Sequence, residues 1–380
     1  MSIVSIVKCA DYERANVEAA VREALRLAEL ETELAGRRVL LKPNLLSTRR
    51  PDEAVTTHPE VIRAAGVIAL DQGCEVSLGD SPPFAGQNPE KYVRLCEVTG
   101  AAEVAHELGI PILRFEEDSR TVPQPTGQFY KSFEIAQAVL DADLIVNISK
   151  LKTHGLTAFT GAVKNVFGCI PGVRKGLFHA QAAENRETFA QMLVDLLGAI
   201  RPGINIMDAV VAMEGEGPNS GRPKQVGLIM ASADPVALDA VACAVVRIDP
   251  LSIDTTRLAA EQGLGCADLG QIEIRGQSLA DVLVSDFLQS SGKNGWSRIP
   301  APVRRILRKQ LVATPVIQAG ECSGCGDCSA ACPVGAIAKE KPARIDLEKC
   351  IRCYCCAEVC NFSAVALKRG WIGNLLTGGR

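Results

Sequence analysis

Two runs of cysteine with identical spacing constrain this chain more than any other feature. CSGCGDCSAACPVGAIA from Cys322 aligns without a gap with CIRCYCCAEVCNFSAVA from Cys350, and each run carries C-x2-C-x2-C-x3-C. Nine of the fifteen cysteines lie between Cys322 and Cys360, while Cys9, Cys74, Cys96, Cys169, Cys243 and Cys266 are isolated. This is the spacing of bacterial two-cluster ferredoxins, in which the fourth cysteine of each run serves the other cluster. Three closely spaced thiolates wrap three corners of one iron–sulfur cube, and the helix that begins there turns the fourth sulfur away. The expected ligand sets are therefore Cys322, Cys325 and Cys328 with Cys360, and Cys350, Cys353 and Cys356 with Cys332. Cys355 is out of phase and is expected to be a non-ligand thiol. Paired zinc sites also use C-x2-C, but they have no need of the duplicated x2-x2-x3 pattern. The first run ends in Cys332-Pro333 and the second in Cys360-Asn361, which makes the two turns inequivalent.

The remainder is a larger body. With 380 residues, the chain is long for one compact core. From the N-terminus to about residue 283, apolar residues at helical spacing alternate with short β-rich runs. Helices are expected over 15–34, 58–72 and 188–200 and from DPVALDAV onward. Strands are expected over 38–41, 75–78, 110–115, 144–148, 204–207 and 227–230. Strands alternating with helices imply parallel pairing, so the fold expected is a layered α/β domain with a mainly parallel sheet, followed by a small α+β ferredoxin-like module. The boundaries expected are 1–283 for the α/β domain, 284–316 for a connector and 317–370 for two [4Fe-4S] clusters. The connector is basic, with Lys293, Arg298, Arg304, Arg305, Arg308 and Lys309 and no carboxylate between Asp286 and Glu321. A short helix packing between the modules is its plain reading; a basic face that docks a partner or a membrane surface is the alternative.

Charge and hydropathy exclude some classes. The net charge of −3 gives no global pull toward nucleic acid, and no apolar run is long enough to span a bilayer. The start, MSIVSIVKCADYER, turns charged too early for a secretory segment, so a cytoplasmic location is expected.

In parallel α/β sheets, ligands bind at the carboxyl ends of strands. Polar residues crowd those ends here: Lys42, Asn44, Asp80, Lys150, Lys152, His154, Asp208 and Glu214. From Leu144 to Ala183 there is no carboxylate but there are five cations, Lys150, Lys152, Lys164, Arg174 and Lys175, together with His154 and His179. Interspersed glycines suit close backbone approach to phosphate or carboxylate groups. A solvated basic surface is the plain alternative, and it fits poorly with the interspersed Phe159, Val163, Val166 and Phe167. No Walker loop or dinucleotide fingerprint occurs, and MEGEGPNSG reads as a mobile loop carrying Glu214 and Glu216.

KPNLL at 42–46, GDSP at 79–82, SKLKTHG at 149–155, GAVKNVFG at 161–168, MEGEGP at 213–218 and SADPVALDAVA at 232–242 resemble the domain of unknown function 362. The resemblance spans residues 5–283 and implies the layout of an α/β domain followed by a two-cluster module more than any one reaction.

The reading that follows is an iron–sulfur oxidoreductase. Electrons from two [4Fe-4S] clusters would reach an anionic small molecule or cofactor held by Lys42, Asn44, Asp80, Lys150, Lys152, Lys164, Asn165 and Arg174. His154 and His179 would supply protons, with Asp208 and Glu214 as acid–base partners. The competing readings are a non-catalytic electron-transfer or cofactor-assembly protein that docks a partner, and a redox sensor. Either way, an electron donor or acceptor protein is the expected partner.

Overall fold

The computed structural model describes residues 1–83, 88–172, 174–182, 185–290 and 313–368. The basic side chains of the connector, Lys293 to Lys309, lie outside the described residues.

The α/β body is built on a nine-stranded sheet. Its strands are β1 (Ser2–Lys8), β2 (Arg38–Pro43), β3 (Glu75–Asp80), β4 (Ile112–Arg114), β7 (Leu144–His154), β8 (Ala158–Thr160), β9 (Ile204–Glu214), β10 (Arg222–Ser232) and β11 (Ile272–Gly276). A separate hairpin pairs β5 (Ser119–Pro123) with β6 (Ser132–Ala136). The sheet order is β11-β1-β10-β9-β7-β2-β3-β4, with β8 folded back on β7. Pairing is parallel from β9 through β7, β2 and β3 to β4, and antiparallel from β9 to β10 and β10 to β1. The sheet is thus mixed but mainly parallel, as the alternation of strand and helix implies.

Alternation along each strand sorts side chains between two cores. Leu40 faces one core and its neighbours Val39 and Leu41 the other. Helices Arg14–Leu27 and Pro59–Asp71 bring Val17, Val21, Ile62 and Ile68 onto one face, and helices Arg186–Ile200 and Pro235–Val245 cover the opposite face. The second of these starts as its sequence suggests: Asp234 accepts from the amides of Val236 and Ala237, and Pro235 occupies the first helical position.

Several strands run further than their apolar runs. β7 is buried at all eleven positions, although only its first five form the expected apolar strand. Its extension is stabilised by β8, which pairs Lys152 with Thr160 and His154 with Ala158. Burial there follows from neighbours on every side, which hydropathy alone does not record.

The C-terminal module contains β12 (Thr314–Ile317) paired with β15 (Val365–Lys368), and β13 (Ile337–Ala338) paired with β14 (Arg344–Ile345). Its internal repeat is also visible in the backbone. Gly324 and Arg352, Gly326 and Tyr354, and Gly335 and Ser363 are each 28 positions apart in the alignment and all six have positive φ. Non-glycine residues rarely take that conformation, so the second half keeps the shape of the first at the expense of strain.

The module docks on the body through specific contacts. Lys91 pairs with Asp327 at 2.6 Å, Asn219 donates to the carbonyl of Cys360 at 2.8 Å, and Tyr354 is buried within the larger core. Asn219 belongs to the MEGEGPNSG segment, which therefore serves as a docking surface in the structure.

Candidate functional site at the module junction

Between the carboxyl edge of the sheet and the cysteine-rich module lies a cavity of about 520 Å³. The body contributes Lys42, Asn44, Asp80, Ser81, Thr160, Lys164, Asn165, Phe167, Lys175 and His179 to its lining; the module contributes Ala330, Ala331, Pro333, Cys355, Glu358 and Val359. Strand ends deliver the polar floor. Lys42 at the end of β2 donates to Asp80 at the end of β3 over 2.7 Å, and Asp80 also accepts from the amide of Leu45 at 2.8 Å. Asn165 donates to Asn147 at 2.8 Å, and Asn44 donates to Asn165 at 3.1 Å.

Sequence reasoning did not single out Ser81 or Lys175 as ligands. Lys175 donates to the carbonyl of Ser81 and, at 3.0 Å, to its hydroxyl, which in turn donates to Glu116 at 2.5 Å. Burial pulls the Lys175 ammonium down to about 8, against the favourable charges of Asp80 and Glu116. The signal for Lys175 was in the same cation run that marked Lys164; for Ser81 it was only its place after Asp80.

The structure separates the remaining expected residues from this cavity. Lys150 is fully buried, bonded to Asp208 at 2.9 Å and to the hydroxyl of Tyr12 at 2.8 Å; Asp208 also accepts from Tyr12 and from the amide of His58. Lys152 donates to Asn44 and to the carbonyl of Val55, each at 2.7 Å. Arg174 turns outward to Glu134 at 2.6 Å. Glu214 accepts from Arg222 and from the amide of Leu288, both at 2.8 Å, and lies apart from the histidines. Two of the five cations in the carboxylate-free stretch are thus ion-paired by acids from distant parts of the chain, Lys150 by Asp208 and Arg174 by Glu134. This leaves a much less electropositive site than the cation run suggests.

His154 sits just behind the cavity. Its Nδ1 accepts from the amides of Leu156 and Thr157, and its Nε2 lies 3.1 Å from Glu358 Oε1, off the line of a hydrogen bond. Burial, then the charge of Lys164, lowers His154 to about 4, so its imidazole is neutral. His179, in the cavity wall, is lowered to about 4 by burial and stacks on Phe189 at 4.4 Å. Burial acts to raise Glu358, yet its surroundings, Lys164 foremost, outweigh burial and hold its carboxyl well below the usual range. Among the described residues, His154, His179, Asp208 and Glu214 form no site for a single metal ion.

In the module, the thiols group as two neighbourhoods. Cys328 is influenced by Cys360, Cys325 and Cys322, and Cys350 by Cys353 and Cys332; Cys356 is influenced by Cys353, Cys350 and Cys332 and also by Cys328, where the two neighbourhoods meet. A small cavity is lined by Cys332, Cys350, Cys353 and Cys356, together with Cys355, beside Ile337 and Ile345. Backbone amides point at sulfur from Ala336 to Cys332 at 3.1 Å and from Ala364 to Cys360 at 3.2 Å, equivalent places in the two repeats. Such N–H groups aimed at thiolates, inside an apolar shell, fit an iron–sulfur cluster.

Comparison with known proteins settles the lineage. Residues 39–244, more than half the chain, match the profile described as Domain of unknown function (DUF362). The chain belongs to that family. Residues 314–361 match a 4Fe-4S dicluster domain, so this family member binds 4Fe-4S iron–sulfur in its C-terminal module and carries the chemistry of electron transfer. A thylakoid-associated protein of Synechocystis is 35% identical over 264 residues, covering 69% of this chain and 79% of that protein. The lactate racemase apoprotein of Thermoanaerobacterium thermosaccharolyticum is structurally similar over 62% of this chain and 55% of its own, at 15% identity and a TM-score of 0.37, too distant to inform function. Among the described residues, no helix is long and apolar enough to cross a membrane.

Proposed function

We propose that the protein is an oxidoreductase in which two [4Fe-4S] clusters exchange electrons with a small molecule bound in the junction cavity. The observation that carries this reading is the shared wall. Cys355, Glu358 and Val359 line the cavity from the segment that holds Cys353, Cys356 and Cys360, opposite Lys42, Lys164 and His179 of the α/β body. Two clusters are supported by the repeated backbone and the paired N–H to sulfur contacts. The assigned ligands are Cys322, Cys325, Cys328 and Cys360 for one cluster, and Cys350, Cys353, Cys356 and Cys332 for the other. When bound, the clusters supply electrons one at a time.

The chain's own residues do the rest. Lys164 presents an ammonium to the ligand, for which no hydrogen bond or close ion pair is found among the described residues, and it is the group placed to hold an anionic oxygen. Lys42 and Lys175 are held by Asp80 and Ser81 and shape the far end. His179 offers a neutral imidazole and Glu358 a carboxylate for orienting the ligand. Cys325 is exposed, which suits the approach of a partner protein that donates or accepts electrons.

The test is anaerobic. Protein with its clusters photoreduced is freed of reductant and mixed with a protein-free metabolite extract while cluster absorbance is followed. Reoxidation that slows severalfold in Lys164→Met, at unchanged iron content, supports the reading. Reoxidation only by protein fractions would replace it with an electron-transfer or assembly role.

A further inference from the structure

The polar atoms of the junction cavity are unevenly satisfied. At the end formed by Asp80 and Lys42, carboxylate and ammonium neutralise each other, and Lys175 is bonded to Ser81 beside Glu116. Lys91 at the rim pairs with Asp327. Elsewhere in the lining, Thr160 Oγ1 on β8 and His179 Nδ1 are buried and have no hydrogen-bond partner among the described residues; the two residues are 2% and 3% exposed. Lys164 belongs to the same lining, within the electrostatic reach of Glu358 and Cys355. A buried polar atom without a partner costs about 1–3 kcal/mol, so two in one lining, with an uncommitted ammonium, mark a place where a ligand completes the bonding.

The ligand's chemistry follows from the rest of the lining. The lining charges cancel nearly in pairs, which disfavours polyanions such as nucleoside triphosphates and leaves one cation for one electronegative oxygen. Phe167 has its ring centroid 6.0 Å from Lys164 Nζ and 5.8 Å from Lys175 Nζ, and Leu46, Leu177 and Val359 add apolar wall. A cavity of about 520 Å³ lies inside the ~300–1,000 Å³ range of small-molecule sites. A ligand that takes up electrons one at a time must tolerate an unpaired electron, and a conjugated ring carbonyl is an organic group that permits it.

We propose that this cavity binds a flat conjugated ring bearing a carbonyl oxygen, the chemistry shared by quinones and the isoalloxazine ring of flavins. The oxygen accepts from Lys164 Nζ and Thr160 Oγ1, the ring packs against Phe167, and His179 Nδ1 meets a polar atom at the ring edge. This deepens the electron-delivery reading and rests on it for the choice of a redox-active ring.

Duroquinone and lumiflavin serve as probes, because neither carries a phosphate and duroquinone has no free ring position for thiol addition. Each is titrated anaerobically into full-length protein with its clusters present and oxidised, by calorimetry and, for lumiflavin, by fluorescence. Saturable 1:1 binding of either probe is expected, weakened about tenfold by Lys164→Met and by Thr160→Val, roughly one hydrogen bond each. Iron content and the cluster absorbance spectrum should be unchanged in both variants. Binding of duroquinone alone assigns a free quinone, and of lumiflavin alone a flavin ring. No saturable binding of either, or affinities that neither substitution changes, overturns the proposal. Extract-driven reoxidation without probe binding would sink the ring assignment alone; probe binding with no reoxidation by any small molecule would sink electron delivery alone.

Discussion

His154 Nε2, at the end of a strand in the α/β body, lies 3.1 Å from Glu358 Oε1 on a helix of the cysteine-rich module. The two residues are 204 positions apart in sequence and both are buried. Glu358 lies two residues beyond Cys356 and two before Cys360, so the carboxylate whose charge reaches Lys164 without pairing closely with it belongs to the segment carrying cluster ligands. The body and the module therefore share one electrostatic unit. Neither would present the same cavity wall alone, since a buried cation without its acid is costly.

Cys353 and Cys355 are neighbours with opposite expected fates. The Cys353 side chain lines the small cavity of the second thiol set, whereas Cys355 also faces the junction cavity. Cys353→Ser should lower iron per chain by about half, a whole cluster, or force an altered cluster spectrum. Cys355→Ala should leave iron per chain at the wild-type value. Iron analysis with electron paramagnetic resonance of the reduced protein checks both, and loss of iron in Cys355→Ala would overturn the ligand assignment.

Stability should fall as pH drops from about 6.5 toward 4. Burial lowers His58, His154 and His179 to about 4, so between these limits the unfolded chain binds protons that the folded chain refuses. Asp239, raised by burial to about 7, acts in the opposite sense and offsets one of the three, since the folded state holds a proton that the unfolded state has lost. The net is about two protons, or ~2.7 kcal/mol per pH unit in the middle of the window. His58→Asn removes one titration and retains a good helix cap for the amide of Glu60, so its slope should fall by about 1.4 kcal/mol per pH unit. Urea midpoints measured from pH 4.5 to 6.5 give both slopes.

How much of this was legible beforehand depends on the range of the interaction. The cysteine repeat is local, and the residues at strand ends follow from the α/β alternation; Lys42 and Asp80 line the cavity from such positions, and Lys164 from the short helix Ala162–Asn165. Partners at long separation were not legible. Lys150 reads as a free cation until Asp208, 58 residues away, is seen against it, and Arg174 until Glu134 is. The strand β7 is readable over residues 144–148 because four of those five are apolar; its polar half is buried by β8 and the docked module. Glu358 looked like one of six module acids, and nothing in its neighbours marks it as facing Lys164.

The Lys150–Asp208 pair is expected to stabilise the fold without taking part in chemistry. Both side chains are completely buried and hydrogen-bonded to each other, away from the cavity lining. Asp208→Asn leaves a buried ammonium poorly compensated and should cost about 3–5 kcal/mol. Lys150→Met combined with Asp208→Leu should recover much of that loss, as replacing both partners removes the desolvation cost. Urea denaturation of the two variants decides it. A stable Asp208→Asn protein that no longer passes electrons would restore a chemical role to Asp208.

Two glycines of the cavity lining should respond in opposite ways to one added methyl. At Gly168, a Cβ would overlap Asp80 Oδ1 and come within 2.5 Å of Lys42 Nζ, the buried ion pair that forms the cavity floor. Its carbonyl also accepts from the amide of Ser81 at 3.1 Å, so the backbone has little freedom to withdraw. Gly168→Ala should therefore split the pair and cost about 3–5 kcal/mol. Gly176 lies inside the helix Arg174–Ala182, and a Cβ there would meet only Pro333 Cβ of the module, at an ordinary 3.6 Å. Alanine favours a helix over glycine by ~0.8–1 kcal/mol, so Gly176→Ala should be neutral or stabilising and should tighten the junction. Thermal unfolding of the two variants, with iron content measured before heating, separates the cases. Equal stability for both would mean that the Lys42–Asp80 contact yields to the methyl group and does not fix the cavity floor.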